Sequence, residues 1–388
     1  MDAGERYYYI YKIIWCLSAL LFPCTLQAQS DTAGSAYVEQ YLVQDEWHGY
    51  CLPVQTSLTY PFTTLHINME WWDEPAHRWW QVTNTTGDSL LAEPMRGYLV
   101  YSGSAFSQIS TVGVNGRLNT GNILVTVTST ESPNGDEGLN FIGNPYPSAV
   151  NWYLAGLGNV DPILYVYSSE WRNYIYFNRF LNMHTSICRF VIPPMQGFFV
   201  HCSAPAPGTG QVLMNNNCRM HDPGQLYRDN PDYDHMLEIS AMGNGYQDEA
   251  HILLTDTAGA GFDSRLDAPK IPGDPTAPQL FSIASDGSRL ALNTRPWEGP
   301  NTTVSLGFMS AVPSTDTLQF AGLGSFSDTL QIWLQDKQEN YFQSLRTGPE
   351  YIFTSGPGDD PARFVIWFCD PFTATGELHR SGFRIWSF

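Results

Sequence analysis

Phe141-Ile142-Gly143-Asn144-Pro145-Tyr146-Pro147-Ser148-Ala149-Val150-Asn151-Trp152 decides the fold of this chain. Two X-Pro bonds and a glycine are packed into one turn, between an apolar strand-like approach and a tryptophan. Each proline fixes its own φ, removes a donor and pushes the preceding residue into extended geometry. No helix can form across such a corner. It joins extended segments, and the rest of the chain agrees with it. Glycine (33), proline (26) and abundant Thr, Ser and Asn favour turns and strands, and 14% of the residues are aromatic. No sustained i, i+3, i+4, i+7 apolar pattern is present, so the expected class is all-β.

Strand-like runs recur along the chain. Val112 and Val114 lead into Asn115-Gly116 and then Leu118, a two-residue hairpin signal. Leu164 and Val166 alternate with Tyr165 and Tyr167, turn at Ser168-Ser169 and return through Tyr174 and Tyr176. Ile192-Pro193-Pro194-Met195-Gln196-Gly197-Phe198-Phe199-Val200 is an extended proline entry into an apolar strand. Beyond Gly243-Asn244-Gly245, Phe281 and Ile283 face Leu290 and Leu292 across Asp286-Gly287. Leu330, Ile332 and Leu334 alternate, and Arg363 to Phe368 reads as a buried final strand. No repeat of solenoid or propeller period is present.

At 388 residues the chain exceeds the roughly 250–300 residues at which single cores stop growing. The polar, proline-bearing stretch from His221 to Asp234 lacks periodicity and reads as a linker. The expected organisation is two consecutive jelly-roll-like β-sandwich domains, 31–222 and 237–370, joined by 223–236. At the N-terminus, Arg6 and Lys12 precede the apolar run Ile13 to Phe22 and then Leu26-Gln27-Ala28, which is export-signal chemistry over residues 1–28. The run is too short to span a bilayer as a permanent anchor, and no other segment reads as a membrane span. The mature chain keeps Cys51, Cys188, Cys202, Cys218 and Cys369, an odd number without a C-x-x-C, which argues against zinc and dithiol redox chemistry.

The net charge is −19, with 38 acidic against 19 basic residues and three lysines, Lys12, Lys270 and Lys337. A field of that sign repels phosphate backbones, so no nucleic-acid partner is expected. Nucleophile-elbow, zinc-protease, P-loop and dinucleotide fingerprints are absent, and no histidine pair has metal-ligand spacing. No catalytic residue is expected.

Several pieces of the sequence together resemble the paired β modules of large surface proteins from Bacteroidetes-type bacteria, exported by the type IX (Por) secretion system. They are Trp47-His48-Gly49-Tyr50 with Pro53, Gly97-Tyr98-Leu99-Val100, the Phe141–Trp152 corner, and Ile192 to Val200. Gly243-Asn244-Gly245-Tyr246 with Asp248-Glu249, and Gly261-Phe262-Asp263 with Asp267-Ala268, complete the ordered set over residues 38 to 368. The resemblance implies a non-catalytic scaffold, spacer or adhesive module, with the secretion machinery and a cell-surface glycan or protein as partners. In that family a C-terminal sorting domain follows. Here only residues 369–388 follow Phe368, and 371–388, ending Gly382-Phe383-Arg384-Ile385-Trp386-Ser387-Phe388, resembles the opening strand of a sorting domain cut short. The implied location is secreted or cell-surface, or periplasmic if the sorting domain is absent.

Two polar constellations are candidates for binding. Asp248, Glu249, Asp256, Asp263 and Asp267 supply hard oxygens of the kind a structural Ca²⁺ takes, although Asp in loops also caps turns. Trp71, Trp72, Trp79 and Trp80, with Glu70, Asp73 and Glu74 beside them, are candidates for stacking on sugar rings. The alternative is plain strand alternation with one tryptophan of each pair inside. A glycan-active enzyme would need two carboxylates about 5–10 Å apart, for which Glu70 and Glu74 could be proposed.

Overall fold

The computed structural model describes residues 35–43, 45–55, 67–82, 93–102, 109–133, 135–188, 190–220 and 233–369. The expected signal 1–28, the tail 371–388 and most of the linker lie outside these residues. The protein is all-β: strands are joined by loops and three-residue 3-10 turns, with no α-helix among the described residues.

The first half is one unit built twice. In the first unit, strands Trp47–Cys51, Gly97–Ser102, Ile67–Asp73 and Arg78–Gln81 lie side by side in that order. Beside them, Ser35–Val43 and Val54–Gln55 flank Ile109–Leu118. The second unit repeats the plan. Leu139–Gly143, Gly197–Cys202, Val160–Ser168 and Asn173–Asn178 follow one another, with Met183–His184 added at the edge. Ile123–Ser129 and Gly156–Gly158 flank Gly208–Met214. Residue pairs coincide as well: Cys51 faces Gly97 as Gly143 faces Gly197, and Trp72 faces Trp79 as Tyr167 faces Tyr174. Pro94-Met95-Arg96-Gly97-Tyr98 recurs as Pro194-Met195-Gln196-Gly197-Phe198.

The units meet by a reciprocal exchange. Cys51 N–H donates to Met195 O at 2.8 Å, and Gly143 N–H donates to Met95 O at 2.9 Å. Matching isolated bridges join Tyr50 to Gln196 and Ile142 to Arg96. Both methionines are wholly buried and hold left-handed backbone, φ 66° at Met95 and 62° at Met195. That conformation costs a non-glycine residue about 1–3 kcal/mol, which the surrounding core must offset. The next residue but one is glycine in both cases for a steric reason. A Cβ on Gly97 would stand 2.7 Å from Ile142 O, and one on Gly197 2.7 Å from Tyr50 N.

The proline corner locks this junction. Asn144, fully buried, donates through Nδ2 to Pro193 O (2.9 Å), Ser148 O (2.9 Å) and Ile192 O (3.2 Å), and accepts from Tyr146 N–H at 3.0 Å. Asn119 Nδ2 donates to Pro145 O and Leu52 O, and Tyr146 OH to Gly121 O. Backbone carbonyls that the prolines leave without ladder partners are thereby satisfied. Trp152, Phe177 and Phe198 fill the second unit's core, while Tyr50, Tyr98 and Val100 fill the first.

One expectation fails here. Asn115-Gly116 does not turn; it lies within the continuous strand Ile109–Leu118, opposite Tyr37 and Ala36. Gly116 is needed because a Cβ would stand 2.5 Å from Gln55 O on the strand at the other side.

Residues 236–369 form a single curled sheet. Its order runs Tyr341–Ser344, Gln331–Asp336, Phe364–Cys369, Thr302–Met309, Gln279–Ile283, Arg289–Arg295, Tyr246–Leu254, Met236–Gly243, Ser314–Ala321 and Glu350–Ser355, with Ala268–Pro269 appended to Arg289–Arg295. The two outermost strands are consecutive in sequence, so the sheet has rolled until its edges meet. Gln343 Nε2 spans the gap to Glu350 O at 2.6 Å, and the Tyr341 ring stacks on Tyr351. Leu237, Ile252, Val304, Leu318, Ile332, Phe353, Phe364, Ile366 and Phe368 form one buried apolar set in its interior. In Glu350–Ser355 exposed and buried positions alternate strictly, as period-2 geometry requires of a strand with one wet face.

Tyr246–Leu254 is buried on both faces from Asp248 onward, because the barrel interior lies on one side and the first half of the protein on the other. Ile163, Tyr165, Tyr176 and Phe199 of the second unit pack there against Met236, Leu253, Ala268, Ile271 and Leu292 of the barrel.

Candidate functional site

The tryptophans form a hairpin in which Trp71 faces Trp80 and Trp72 faces Trp79. Alternation sends the two pairs to opposite faces. Trp72 and Trp79 pack with Phe141 and Phe199, at centroid distances of 5.4 Å for Trp79–Phe141 and 6.2 Å for Trp72–Phe199. Trp72 Nε1 donates to Leu139 O at 2.6 Å, so this pair ties the first unit to the second. Trp71 is half-buried against the first unit's core, with the Arg96 guanidinium over its ring. Trp80 is 39% exposed, its face covered by Arg78 at 3.4 Å and its Nε1 donating to Asp73.

Glu74 is buried and fully engaged. It accepts from Thr128 Oγ1 (2.6 Å), Thr130 N–H (2.7 Å), Gly138 N–H (3.0 Å) and Thr130 Oγ1 (3.1 Å), closing the loop between strands Ile123–Ser129 and Leu139–Gly143 of the second unit. A carboxylate surrounded by four donors is a fixed acceptor, without a lone pair directed at a substrate.

The five acids of the second constellation occupy separate places. Asp248 is buried against Lys270. Glu249, on the next residue of the strand, points the other way and accepts from Ser186 N–H (2.8 Å) and Ser186 Oγ (2.6 Å). Asp256 is exposed. Asp263 accepts from Arg265 N–H, and its own N–H donates to Asp267, whose second oxygen accepts from Thr294 N–H at 2.6 Å. Burial pushes Asp267 up to about 6. Among the described residues no three His, Cys, Asp or Glu side chains converge as metal ligands. The groups directed at these oxygens are N–H and O–H donors, whose positive ends repel a cation.

What the structure does assemble is a polar seam between the second unit and the barrel. Asn173, wholly buried, donates through Nδ2 to Gln247 O and Pro278 O, both at 3.0 Å, and accepts from Gln279 Nε2 at 2.7 Å. Asn178 Nδ2 donates to Arg265 O and Leu266 O, and Asp274 N–H donates to Arg172 O at 2.8 Å. Tyr176 OH meets His251 Nδ1 at 2.8 Å. Desolvation lowers His251 to about 3, so its ring is neutral at physiological pH. Burial also raises Glu249, against the lowering effect of its Ser186 hydrogen bonds. Sequence reading missed Asn173, Asn178, Ser186 and His251. Each partner lies more than sixty residues away along the chain, and no local pattern announces it. No disulfide joins Cys51, Cys188, Cys202, Cys218 or Cys369.

This is an all-β protein in which two wholly buried asparagines, Asn173 and Asn178, join two bodies. It belongs to the family described as Domain of unknown function (DUF8693), whose model matches residues 157–368, more than half of the chain. The matched span contains both sides of the seam and runs across the polar segment 223–236. No curated protein and no solved structure matches the chain.

Proposed function

We propose that this chain is a non-catalytic module of an exported surface protein, a rigid scaffold or spacer that holds neighbouring parts at a fixed distance. The observation that carries this reading is the seam. Asn173, Asn178, Tyr176, Ser186, Glu249 and His251 place directional, buried hydrogen bonds between the second unit and the barrel. Covalently linked domains otherwise move relative to one another by default, and a desolvated polar seam opposes that motion. Of the two carboxylates considered for a glycan-active enzyme, Glu74 is held by internal donors instead, and Glu70 lies on its strand opposite Gln81. Export through the type IX route and delivery to the cell surface follow from the ordered sequence resemblance. Among the described residues no helix is long and apolar enough to cross a membrane.

Protease treatment of intact producing cells, followed by fractionation and immunoblotting, tests this. Cleavage without lysis is expected, and a product protected in the cytosol overturns the reading. The sugar-binding alternative rests on Trp80, the most exposed of the four tryptophans. A glycan array showing binding that Trp80→Ala abolishes would favour it over the scaffold.

A further inference from the structure

The chain carries three lysines against sixteen arginines, the remainder of its nineteen basic residues. Lys337 is exposed and Lys12 lies outside the described residues. Lys270 is different: its side chain is 3% exposed, and Nζ lies 2.5 Å from Oδ2 of Asp248, also 3% exposed. A second deeply buried pair uses arginine, with Arg363 holding Asp336 through Nε and Nη2. A lysine side chain offers a single primary amine that can attack a carbonyl carbon once a proton is handed to its partner, whereas a guanidinium does not.

The carboxyl group of Asp248 is arranged as an electrophile. Its Oδ1 accepts from Glu249 N–H at 3.0 Å, and its Oδ2 accepts from Leu280 N–H at 2.6 Å as well as from Lys270. In a site that excludes water, the Glu249 N–H on Oδ1 stabilises the charge of a tetrahedral adduct, and the Leu280 N–H holds the oxygen that would leave. Both reacting groups are held by rigid strands, the acid within Tyr246–Leu254 and the amine directly after Ala268–Pro269. Burial also favours the uncharged acid.

We propose that Lys270 and Asp248 condense to an intramolecular isopeptide bond, closing the chain between the two residues. One ammonium proton passes from Nζ to Oδ2, giving a neutral amine and a neutral acid. The Nζ lone pair adds to Cγ while the Glu249 amide holds the charge that develops on Oδ1. The Cγ–Oδ2 bond then breaks, the departing hydroxyl takes a second proton from nitrogen, and one water leaves. Ammonium plus carboxylate become amide plus water, so no oxidant or other co-reactant is needed.

The test is the mass of the denatured full-length protein, together with its tryptic digest. The expected wild-type mass is one water below that of the same chain without the bond, whichever N-terminus it carries, trypsin fails to cut after Lys270, and a branched peptide joins the Asp248 and Lys270 segments. Lys270→Arg, which cannot condense, is expected to retain the water. Should that variant not fold, the wild-type branched peptide decides alone. A full-mass wild type overturns the proposal, and so does a dehydrated one that trypsin still cuts after Lys270.

Discussion

Tyr176 and His251 share a buried hydrogen bond across the seam, 2.8 Å from the phenol oxygen to Nδ1, with the rings edge to face. Tyr176→Phe leaves the imidazole nitrogen desolvated without its partner, and about 1–3 kcal/mol of stability should be lost. A double-mutant cycle with His251→Phe should show coupling between the two sites. Strictly additive losses in chemical denaturation would mean that the contact contributes nothing of its own.

The same histidine predicts acid sensitivity. Its folded value of about 3 lies below the ordinary 6.5, so the unfolded chain binds the extra proton between those limits. Its contribution is therefore fully present above pH 6.5 and is lost as pH falls toward 3. His251→Gln should flatten this part of the stability profile, and denaturation midpoints measured from about pH 7 to pH 4 check it.

Asp267 acts in the opposite direction. Its folded value, about 6, exceeds the ordinary 3.8, so the folded state holds the extra proton. Acidification from about pH 6 to pH 4 should relieve a penalty of up to about 3 kcal/mol. Asp267→Asn should lose that gain and also one of the two backbone acceptor contacts. The variant should thus lose stability relative to wild type, by up to about 3 kcal/mol, as pH falls from about 6 to about 4, and a pH-independent difference would contradict the assignment.

Gly197→Ala should be severely destabilising, because its Cβ would lie 2.7 Å from Tyr50 N and 3.0 Å from Gly49 C, both backbone atoms that cannot swing away. Overpacking of this kind costs about 1–3 kcal/mol or more. Gly324→Ala, with open space around the new methyl, is the near-neutral control. Comparable melting temperatures for the two would refute the close-packed junction.

The tryptophan hairpin should divide by face. Trp72→Ala removes a half-buried ring and its bond to Leu139, at a cost of about 3–5 kcal/mol. Trp80→Ala, losing a partly exposed ring under Arg78, should cost well under half of that. Thermal unfolding of the two variants measures the contrast.

The class of fold was legible because alternation and turn chemistry are local. Glu350–Ser355 and the Tyr165–Tyr176 hairpin follow period 2, and Asn244 and Gly245 take the positive φ their turn requires. Asn115-Gly116 misled for a related reason: a dipeptide reports local preference, whereas Gly116 answers to the third strand pressed against it. The duplication within the expected single domain 31–222 was missed, although its one local trace is in the sequence: the Pro-Met-x-Gly-aromatic motif at Pro94 returns at Pro194. The seam was not legible, because a buried Asn or Glu is distinguished from a surface one only by what folds over it. The tryptophans and acids were noticed for their chemistry, and packing and capping determined where they went.

The exchange between Met95 and Met195 has the form of an isologous contact, in which each side gives the other the same bond. Two separate copies of such a unit would associate only as strongly as their concentration allowed. Tethered in one chain, they face a fixed effective concentration set by the connecting peptide, so the pairing survives unlimited dilution.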